Sequence, residues 1–568
     1  MVGTIRRHRR WLQAALVIAL FGQLAVGLVT AAREQSPTVD EPVYLGAAVS
    51  YLQHHDLRLN PEHPPLAKLI VGTGLAFADV RLDPAYQGSQ WEVGHQVLYG
   101  PGNDADRVLW LGRLPMIVLT LLFGLVVLGF GRDLFGTWGG VLALALYALS
   151  PDVIAHGSLA TNDVPLAGFL LTTVWLLWRA RRRPRRYLPL AGLAFGCALA
   201  TKMTALPLFP VVLLLAAVAA WTAARPTTGT PADATGTPGD GPDSDGPDNG
   251  GPGRWSWWDR RRIRPGLGYA LGVGLIALAT VWLSYLVIDP TLDYRSVAIF
   301  DPGVKKLAVS LLPLPEPYRD GMLLQLGYES RSFSGYLFGE RFQGNLWYYL
   351  PVAVLIKTPL GMIVLWLGAV AALLAVRRLR PVALYLLLPL GILLPIAMTG
   401  ARSFGSRYVI WLPVLLAVAA PAVLALRRRW VVPVALLLVA SVAVSSLRTY
   451  PYYLPYANEA FGGPANSYRL LNDSNVDWGQ DLRRLGVHLR ENRLADEPVW
   501  LIYKGRGEPG YYGIRAADPL AVPPEQVHGL LAISAMRLSA SRDGFAELVR
   551  GQPPIARIGH TIWLYRIP

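Results

Sequence analysis

The sequence has one cysteine, Cys197, and charged residues make up only 16% of its 568 residues. A single cysteine excludes an intrachain disulfide, so any external domain must fold without that restraint. The low charge, together with 53% hydrophobic residues and a mean hydropathy of +0.34, excludes an ordinary soluble multidomain protein. The composition therefore predicts a membrane protein.

Acidic residues are also in short supply, because 38 Asp and Glu stand against 53 Lys and Arg and leave a formal net charge of +15. Nucleic-acid binding would require these basic residues on one folded face. They cluster instead at the ends of apolar runs, which is the pattern that the positive-inside rule produces. We therefore expect a lipid bilayer as a partner and no nucleic acid.

The apolar runs predict a polytopic α-helical membrane protein with about eleven transmembrane helices, since about 20 apolar residues cross a hydrocarbon core. The runs lie near 11–32, 108–130, 137–150, 164–178, 187–201, 204–223, 266–288, 347–376, 381–399, 408–426 and 431–447. The first run follows a basic segment as in a signal peptide, but its length favours a retained span.

Basic clusters indicate the orientation of these spans. With the N-terminus in the cytoplasm, every dense cluster falls on the cytoplasmic side. The clusters are Arg132, Arg179 to Arg186, Arg254 to Arg264, Arg377 to Arg380 and Arg427 to Arg429. An odd number of spans then predicts a multi-pass plasma-membrane protein with a cytoplasmic N-terminus and an extracytoplasmic C-terminus.

The predicted organisation has six parts. They are the N-terminus and first span (1–32), an external loop (33–106), spans two to six (107–224), a cytoplasmic linker (225–264), spans seven to eleven with an external loop at 289–345 (265–447), and an extracytoplasmic domain (448–568). The linker is rich in Gly, Pro, Asp and Thr, so we expect it to be disordered. Strand-like and helical runs alternate in the C-terminal part, which predicts an α/β domain.

Polar residues beside the apolar runs are the candidate site, because such residues must be solvated, paired or used. The first loop opens with Asp40-Glu41-Pro42 and continues to Glu62 and His63. A solvated helix N-terminus is a second interpretation of the Asp-Glu pair. The second external turn adds His156 and Asp163, whose spacing of seven would place them on one face of a helix.

Basic residues also lie at the external ends of the spans: Arg113, Lys202, Lys357, Arg402 and Arg407. Snorkelling explains any one of them, but several at one membrane surface suggest an anion at the interface. Carboxylates facing such cations fit a transfer reaction with a lipid phosphate as leaving group. One Asp would deprotonate an acceptor hydroxyl, and Arg or Lys would offset the charge on the departing phosphate.

Four ordered motifs resemble a known family. They are Asp40-Glu41, His63-Pro64-Pro65-Leu66-Ala67-Lys68, the run from Ala155 to Asp163, and the run from Asp473 to Leu482. Together they resemble the polyprenyl-phosphate-dependent glycosyltransferases of the C-type fold, specifically a bacterial branch of the protein O-mannosyltransferase-like family. The resemblance implies an inverting enzyme that moves a sugar from a polyprenyl-phosphate donor to a hydroxyl of an extracytoplasmic protein, glycan or lipid.

The resemblance also implies residue roles. Asp40 would be the general base of the first loop, Glu41 would accompany it, and Asp163 would orient the acceptor or the base. Arg113 and Lys202 would bind the donor phosphate. A pocket for donor and acceptor would include the remaining candidates, which are Glu62, His63 and His156.

The need for a cofactor is left open by the sequence. Glu62 aligns with an acidic residue that takes part in metal binding in the similar lipid A aminoarabinose transferases, but those enzymes have Lys where this chain has His63. Glu62, His63 and His156 are candidate ligands for a divalent metal ion, without the tight spacing of a strong metal motif.

Two other classes of protein compete with the transferase. A transporter or flippase of lipid-linked sugars also needs many spans and buried charges, but it usually shows internal repeats and broken paired helices, and no repeated half is evident here. A non-catalytic assembly protein that binds through its C-terminal part would leave the loop carboxylates unexplained. The sugar, whether hexose or pentose, is not specified by the sequence.

Overall fold

The computed structural model describes residues 2–223, 260–294, 304–540, 545, 548–549 and 551–568. Twenty α-helices and seven β-strands occur in these residues. The helices are α1 (Val2–Glu34), α2 (Glu41–His54), α3 (Leu66–Leu75), α4 (Gln90–Tyr99), α5 (Ala105–Ala148), α6 (Pro151–Gly157), α7 (Asp163–Ala180), α8 (Pro184–Thr201), α9 (Phe209–Ala223), α10 (Arg260–Leu286), α11 (Val304–Ser310), α12 (Glu316–Glu329), α13 (Tyr349–Lys357), α14 (Leu360–Ala375), α15 (Arg380–Met398), α16 (Trp411–Ala419), α17 (Val431–Thr449), α18 (Ser467–Leu470), α19 (Leu482–Glu491) and α20 (Ala535–Ala540). The strands are β1 (Ser334–Leu337), β2 (Glu340–Gln343), β3 (Val499–Ile502), β4 (Ala516–Ala517), β5 (Gly529–Ser534), β6 (Ala556–Ile558) and β7 (Ile562–Ile567).

The predicted polytopic helical class is confirmed, but the predicted count of eleven spans is not. In the described part of the chain, six helices are long and apolar enough to cross a membrane, or up to seven if a bent pair counts as one. The six are His8–Glu34, Ala105–Ala148, Met203–Ala223, Pro265–Leu286, Arg377–Met398 and Val431–Thr449. Of the other predicted spans, 164–178 and 187–201 coincide with α7 and α8, 408–426 coincides with the shorter apolar helix Trp411–Leu426, and 347–376 coincides with the bent pair α13 and α14.

Helix α5 contains two of the predicted spans. Its 44 residues are interrupted at Gly136, whose φ of 77° and ψ of −177° are not helical. A side chain at Gly140 would meet the carbonyl oxygen of Leu128, so the two halves pack closely against each other. The chain therefore folds back at Gly136, where glycine adopts the positive φ without a steric penalty.

The predicted span at 347–376 is wrong as a single helix. It consists of α13 and α14, which are bent by 120° relative to each other. Thr358 is extended, with φ of −106° and ψ of 132°, and Pro359 follows it as the N-cap of α14. Proline disfavours a helical residue before it and cannot donate a backbone hydrogen bond, so the helix breaks there.

Two further predicted segments fall partly outside the described residues. Most of the predicted 225–264 linker, residues 225–259, lies outside them, and residues 260–264 form the first turn of α10 instead of continuing the linker. The predicted external loop at 289–345 contains α11, α12 and the antiparallel pair β1–β2, while its residues 295–303 lie outside the described part.

The predicted first external loop folds into α2, α3 and α4, which pack on the first half of α5. Their apolar side chains form a separate core that includes Leu45, Val71, Val97 and Leu109. Helices α2 and α4 approach closely, because a side chain at Gly46 would meet the backbone nitrogen of Gly94. This packing fixes the start of α2, where Asp40 and Glu41 lie.

The C-terminal part has a five-stranded sheet in the order β4-β3-β5-β7-β6. Strand β3 pairs in parallel with β4 and β5, and β7 pairs antiparallel with β5 and β6. The apolar face of α19 packs on one side of the sheet, with Leu485 and Leu489 against Leu530 and Leu564. One of the strand-like runs predicted in the C-terminal part, which begins at Val499, forms β3.

Candidate active site

The turn that begins α2 places two adjacent carboxylates in different surroundings. Asp40 is the N-cap of α2, and its side chain is 26% exposed. Glu41 is the first residue of the helix, and its side chain is completely buried. A helix start therefore separates the two acids that the sequence presents as one motif.

Glu41 is paired with Arg113 of α5, which is also completely buried. The Arg113 Nε donates to Glu41 Oε1 at 2.7 Å and its Nη2 donates to Oε2 at 2.6 Å. The other guanidinium hydrogens go to the carbonyl oxygens of Ala32, Gln35 and Ser36 at 2.6–3.1 Å. All five N–H groups of the arginine are thus satisfied inside the protein. We call Glu41 and Arg113 the anchor pair.

This geometry bears on the predicted roles of both residues. Arg113 has neither exposure nor a spare donor for a phosphate, so the predicted donor-phosphate contact is not made by Arg113 in this arrangement. Glu41 also accepts hydrogen bonds from the backbone of Thr38 and Ala160 at 2.8 and 2.9 Å. Burial raises the pKa of Glu41, but Arg113 and these donors outweigh it and hold the pKa below its usual value. Glu41 is therefore a buried carboxylate whose charge is paired within the protein.

Asp40 belongs to a different set of charges. Arg407, in a short 3-10 helix, donates to Asp40 Oδ2 at 2.8 Å, and its Nη1 lies 3.6 Å from Asp163 Oδ2. Lys202 lies 2.5 Å from Asp163 Oδ1. The four residues Asp40, Arg407, Asp163 and Lys202 form a row of alternating charge, which we call the charge chain. It brings together three of the predicted site residues.

The charge chain lies at a cavity of about 710 Å³. Asp40, Lys202 and Arg407 line the cavity, together with the predicted pocket residues Glu62 and His63. Apolar residues line another part of it, including Leu206, Leu326, Leu393 and Ile396. Since Leu393 and Ile396 belong to α15, which is long and apolar enough to span a membrane, the cavity joins a charged region to an apolar one.

A buried lysine shapes the turn that carries Glu62 and His63. The Lys68 ammonium group donates to the carbonyl oxygens of Asn60 and His63 at 2.9 and 2.7 Å. Asn60 has a φ of 55°, a conformation that asparagine tolerates better than most residues. Burial lowers the pKa of His63 well below its usual value, and nearby cations including Lys202 add to the effect. His63 is thus a neutral imidazole in the cavity wall.

His156 lies behind the cavity rather than in it. Its ring is 6.1 Å from that of Trp478, a residue that does line the cavity. Burial lowers the pKa of His156 to about 4, against the opposing effect of Asp152. Since the cavity lining does not include His156, its predicted contact with donor or acceptor would require a rearrangement.

The candidate metal ligands are not grouped. In the parts of the chain that the structure describes, no cluster of three or more His, Cys, Asp or Glu side chains could hold a metal ion. Glu62 accepts a hydrogen bond from Gln90 at 3.3 Å instead, and its backbone carbonyl accepts one from Gln325 at 2.8 Å. The residues present do not fit a protein-held metal, so we derive no catalytic step from one.

Several cavity residues were not predicted as site residues. The sequence marks Arg407 only as a basic residue before an apolar run, and that is the signal by which it could be found. Asp473 and Trp478 belong to the predicted C-terminal motif and also line the cavity. Lys504, from the loop after β3, lines it as well and is ion-paired with Asp473. No sequence pattern marks that lysine.

Among models of known protein families, one matches part of this chain. Residues 105–231 match the family model described as dolichyl-phosphate-mannose-protein mannosyltransferase. No curated protein sequence matches the chain significantly. The matched segment contains Arg113, His156, Asp163 and Lys202, and it confirms the predicted resemblance to the protein O-mannosyltransferase-like family over those residues.

Three solved structures were also found to be similar. ArnT from Cupriavidus metallidurans in the apo state is 13% identical, with a TM-score of 0.47 over 96% of this chain and 97% of that chain. The same ArnT bound to undecaprenyl phosphate gives 13% identity and a TM-score of 0.44, with the same coverage. The oligosaccharyltransferase of Archaeoglobus fulgidus in the apo form gives 13% identity and a TM-score of 0.40, over 90% of this chain and 62% of that chain.

Proposed function

We propose that this protein is an inverting membrane glycosyltransferase that moves a sugar from a polyprenyl-phosphate donor to a hydroxyl of an extracytoplasmic acceptor. The observation that carries the proposal is the charge chain beside a cavity with an apolar wall. Its volume of about 710 Å³ lies within the range of small-molecule sites. A lipid-linked sugar has the matching division into a polar head and an apolar tail.

In the proposed complex, the donor phosphate takes the place beside Arg407 and Lys202. Both are cations that line the cavity, and a guanidinium suits the bidentate recognition of phosphate oxygens. The polyprenyl chain would follow the apolar wall formed by residues such as Leu206 and Ile396 toward the bilayer. Arg407 thus receives the role that the sequence suggested for Arg113.

The proposed reaction has Asp40 as general base. Its carboxylate accepts the proton of the acceptor hydroxyl while the acceptor oxygen forms a bond to the anomeric carbon of the sugar. The bond from that carbon to the phosphate oxygen breaks, and its electron pair stays on the phosphate. Arg407 and Lys202 stabilise the charge that develops there. Attack from the face opposite the phosphate inverts the anomeric centre.

Asp163 is proposed to orient this arrangement rather than to react. It is buried and lies within 3.6 Å of both Lys202 and Arg407, so it holds the two cations at a fixed spacing. Its carboxylate does not line the cavity, in contrast with that of Asp40. Direct contact between Asp163 and an acceptor is therefore not part of the proposal.

Purified protein in detergent should test the function. It would be incubated with polyprenyl-phosphate-linked mannose, glucose and arabinose and with Ser/Thr peptide, glycan and lipid acceptors, and released polyprenyl phosphate would be measured. We expect release with one donor and inversion at the transferred sugar. Absence of turnover with every pair, combined with movement of a donor across vesicle membranes, would favour the transporter.

We also propose that the N-terminus and the predicted 225–264 linker are cytoplasmic, and that residues after about 448 are extracytoplasmic in the plasma membrane. This orientation places every dense basic cluster in the cytoplasm, as the positive-inside rule requires. Reporter fusions in each loop would test it. A cytoplasmic C-terminal part would contradict the proposal, because Trp478 of that part contacts the guanidinium of Arg407 in the charge chain.

A further inference from the structure

The C-terminal motif, residues 473–482, lies between the last membrane helix and the sheet of the C-terminal part. We call it the hub segment. Its residues are almost all buried, including Asn475, Trp478 and Gln480 at 0–1% exposure. The hydrogen-bond partners of these buried polar groups show which parts of the chain the hub segment holds in place.

The hub segment binds the chain that leads to Asp40. The backbone nitrogen of Ser36 donates to the carbonyl oxygen of Gln480 at 3.0 Å. The Ser36 hydroxyl donates to the carbonyl oxygen of Gly479 at 2.9 Å and accepts from the backbone nitrogen of Leu482 at 3.1 Å. Ser36 is completely buried, and the cavity lining does not include it. Its three bonds therefore fix backbone position and make no substrate contact.

Trp478 joins the two charged residues at the centre of the site. Its carbonyl oxygen accepts from the backbone nitrogen of Val39, the residue before Asp40, at 2.9 Å. Its ring lies under the guanidinium of Arg407, with 4.2 Å from the carbon to the ring centroid. One residue thus fixes the backbone beside the proposed base and the side chain of its partner, because a cation is attracted to an aromatic face.

The hub segment also holds the loop that carries Arg407. Asn475 Oδ1 accepts from the backbone nitrogen of Ser406 at 2.9 Å, and the Ser474 hydroxyl donates to the carbonyl oxygen of Phe404 at 2.8 Å. Asn475 is in turn held by Lys357, which donates to its carbonyl oxygen at 2.8 Å. Backbone groups next to Arg407 are therefore fixed from the membrane part and from the hub segment together.

A glycine connects the hub segment to the C-terminal sheet. Gly479 has a φ of 87°, and a side chain there would come within 2.6 Å of the Gly505 Cα. Its carbonyl oxygen accepts from the hydroxyl of Tyr503, directly after β3, at 2.7 Å. The close approach leaves room only for glycine. A shift of this end of the sheet would consequently move the hub segment.

We infer that the hub segment positions Asp40 and Arg407 relative to each other, so that the C-terminal part is a component of the catalytic centre. Residues Ser36, Asn475 and Trp478 are positioning residues for the reaction. The inference rests on the proposed function for its kinetic consequences, but the geometry that it describes can be measured without turnover. It predicts that loosening the hub lowers the rate of transfer more than it weakens donor binding.

Three variants separate positioning from general stability. Ser36→Ala removes two hydroxyl bonds without reaching the cavity, Trp478→Leu removes the ring under Arg407, and Trp478→Phe keeps an aromatic face. Ser445→Ala is the matched control, because Ser445 is a buried serine whose hydroxyl bonds with Tyr456 and Glu459 lie outside the cavity.

The first measurement is hydrogen–deuterium exchange of peptides covering 35–44 and 403–411, in detergent and without any donor. Ser36→Ala and Trp478→Leu should accelerate exchange in these peptides about tenfold, because local opening becomes easier. Trp478→Phe should stay close to the wild-type rate, and Ser445→Ala should match the wild type. Unchanged exchange in both test variants would overturn the inference, as would equal acceleration in all four.

The second measurement is turnover with the panel of polyprenyl-phosphate-linked mannose, glucose and arabinose. For the donor that is used, Ser36→Ala should lower kcat about tenfold to a hundredfold, the cost of a small misplacement of reacting groups. The KM for the donor should stay within about threefold, because the donor contacts remain. Wild-type kcat in Ser36→Ala would overturn the inference. If the wild type itself uses no donor, the proposed function fails, and the exchange result still decides the inference.

Discussion

Two arginine–carboxylate pairs lie on either side of the turn that begins α2, and they differ in what surrounds them. The anchor pair, Glu41 with Arg113, is completely buried, and every N–H of its arginine has a partner within the protein. Asp40 with Arg407 lines a cavity, and the Asp40 side chain is 26% exposed. Both pairs join an arginine to a carboxylate, but only the second pair lies where a ligand could reach it.

The difference shows how a site can be held precisely and still remain accessible. The anchor pair fixes the turn from inside, because Arg113 also binds the carbonyl oxygens of residues 32, 35 and 36. The hub segment fixes the same turn from the other side. Asp40 lies between these two supports, so its backbone is fixed from both sides while its side chain contacts Arg407 at the cavity. Such support from neighbouring groups is what precise catalytic geometry requires.

The largest expected effect is on the exposed pair. Asp40→Asn is nearly isosteric but cannot accept the acceptor proton, so we expect kcat to fall by about 10²–10⁴-fold, the usual contribution of a general base. Binding of undecaprenyl phosphate should change little. Turnover in detergent and a direct binding assay would measure both. Near-normal kcat in correctly folded Asp40→Asn would rule out Asp40 as the base and move the role to Asp163.

The anchor pair should respond in stability rather than in donor binding. Arg113→Met leaves the Glu41 carboxylate buried without its cation, which typically costs about 3–5 kcal/mol. Thermal unfolding in detergent should show a large drop, and the double variant Arg113→Met with Glu41→Gln should recover part of it. The contrast between the two pairs would be wrong if Arg113→Met had the unfolding temperature of the wild type but no longer bound undecaprenyl phosphate. Arg113 would then be a residue that binds the donor phosphate.

Much of this site could be predicted from the sequence, and the reason lies in local pattern. Asp40, Glu62 and His63 stand in short motifs of one loop, and Asp163 and Lys202 stand at the ends of apolar helices. The structure brings all five to the cavity or its charge chain. The residues of a short motif are neighbours in the sequence, so the motif can be recognised without knowledge of long-range contacts.

The anion that pairs with Arg113 could not be predicted from the sequence in the same way. An arginine near the end of a span needs an anion, but the sequence does not tell whether that anion is a ligand or a carboxylate 72 residues earlier. The same limit applies to Lys504, which reaches the cavity only because β3 ends there. The position of the bend between α13 and α14 could be predicted from the sequence, since Pro359 marks it. Its angle of 120° could not, because the angle depends on tertiary packing.

A third carboxylate, that of Asp477, extends the comparison to the pH dependence of stability. Asp477 is buried like Glu41, but it accepts hydrogen bonds from the uncharged backbone groups of Gly479 and Met536, and the attraction of Lys504 lowers its pKa less than burial raises it. Burial raises the pKa of Asp477 to about 6, whereas Arg113 keeps the pKa of Glu41 low. The folded state therefore binds more protons than the unfolded state between about pH 4 and 6, and stability contributed by the neutral acid is lost as pH rises through that window.

Asp477→Asn should remove this pH dependence. A shift of about two pKa units corresponds to about 3 kcal/mol as an upper value. The difference in unfolding free energy between wild type and Asp477→Asn should thus change in favour of the variant from pH 4 to pH 7. A difference independent of pH would show that Asp477 ionises normally in the folded protein. Turnover plays no part in this measurement.

The smallest expected effect concerns Arg407, and it tests which arginine meets the donor. Arg407→Lys keeps the positive charge but loses the planar, bidentate donor arrangement and the guanidinium contact with Trp478. Loss of one charge-assisted hydrogen bond is worth about 1.5–3 kcal/mol, so the KM for the donor should rise at least about tenfold. Arg179→Lys is the control, because Arg179 forms a comparable pair with Asp133 at the other end of α7 and should leave KM unchanged. If both variants behave like the wild type, the donor phosphate does not bind beside Arg407, and the contrast between the two pairs has no functional meaning.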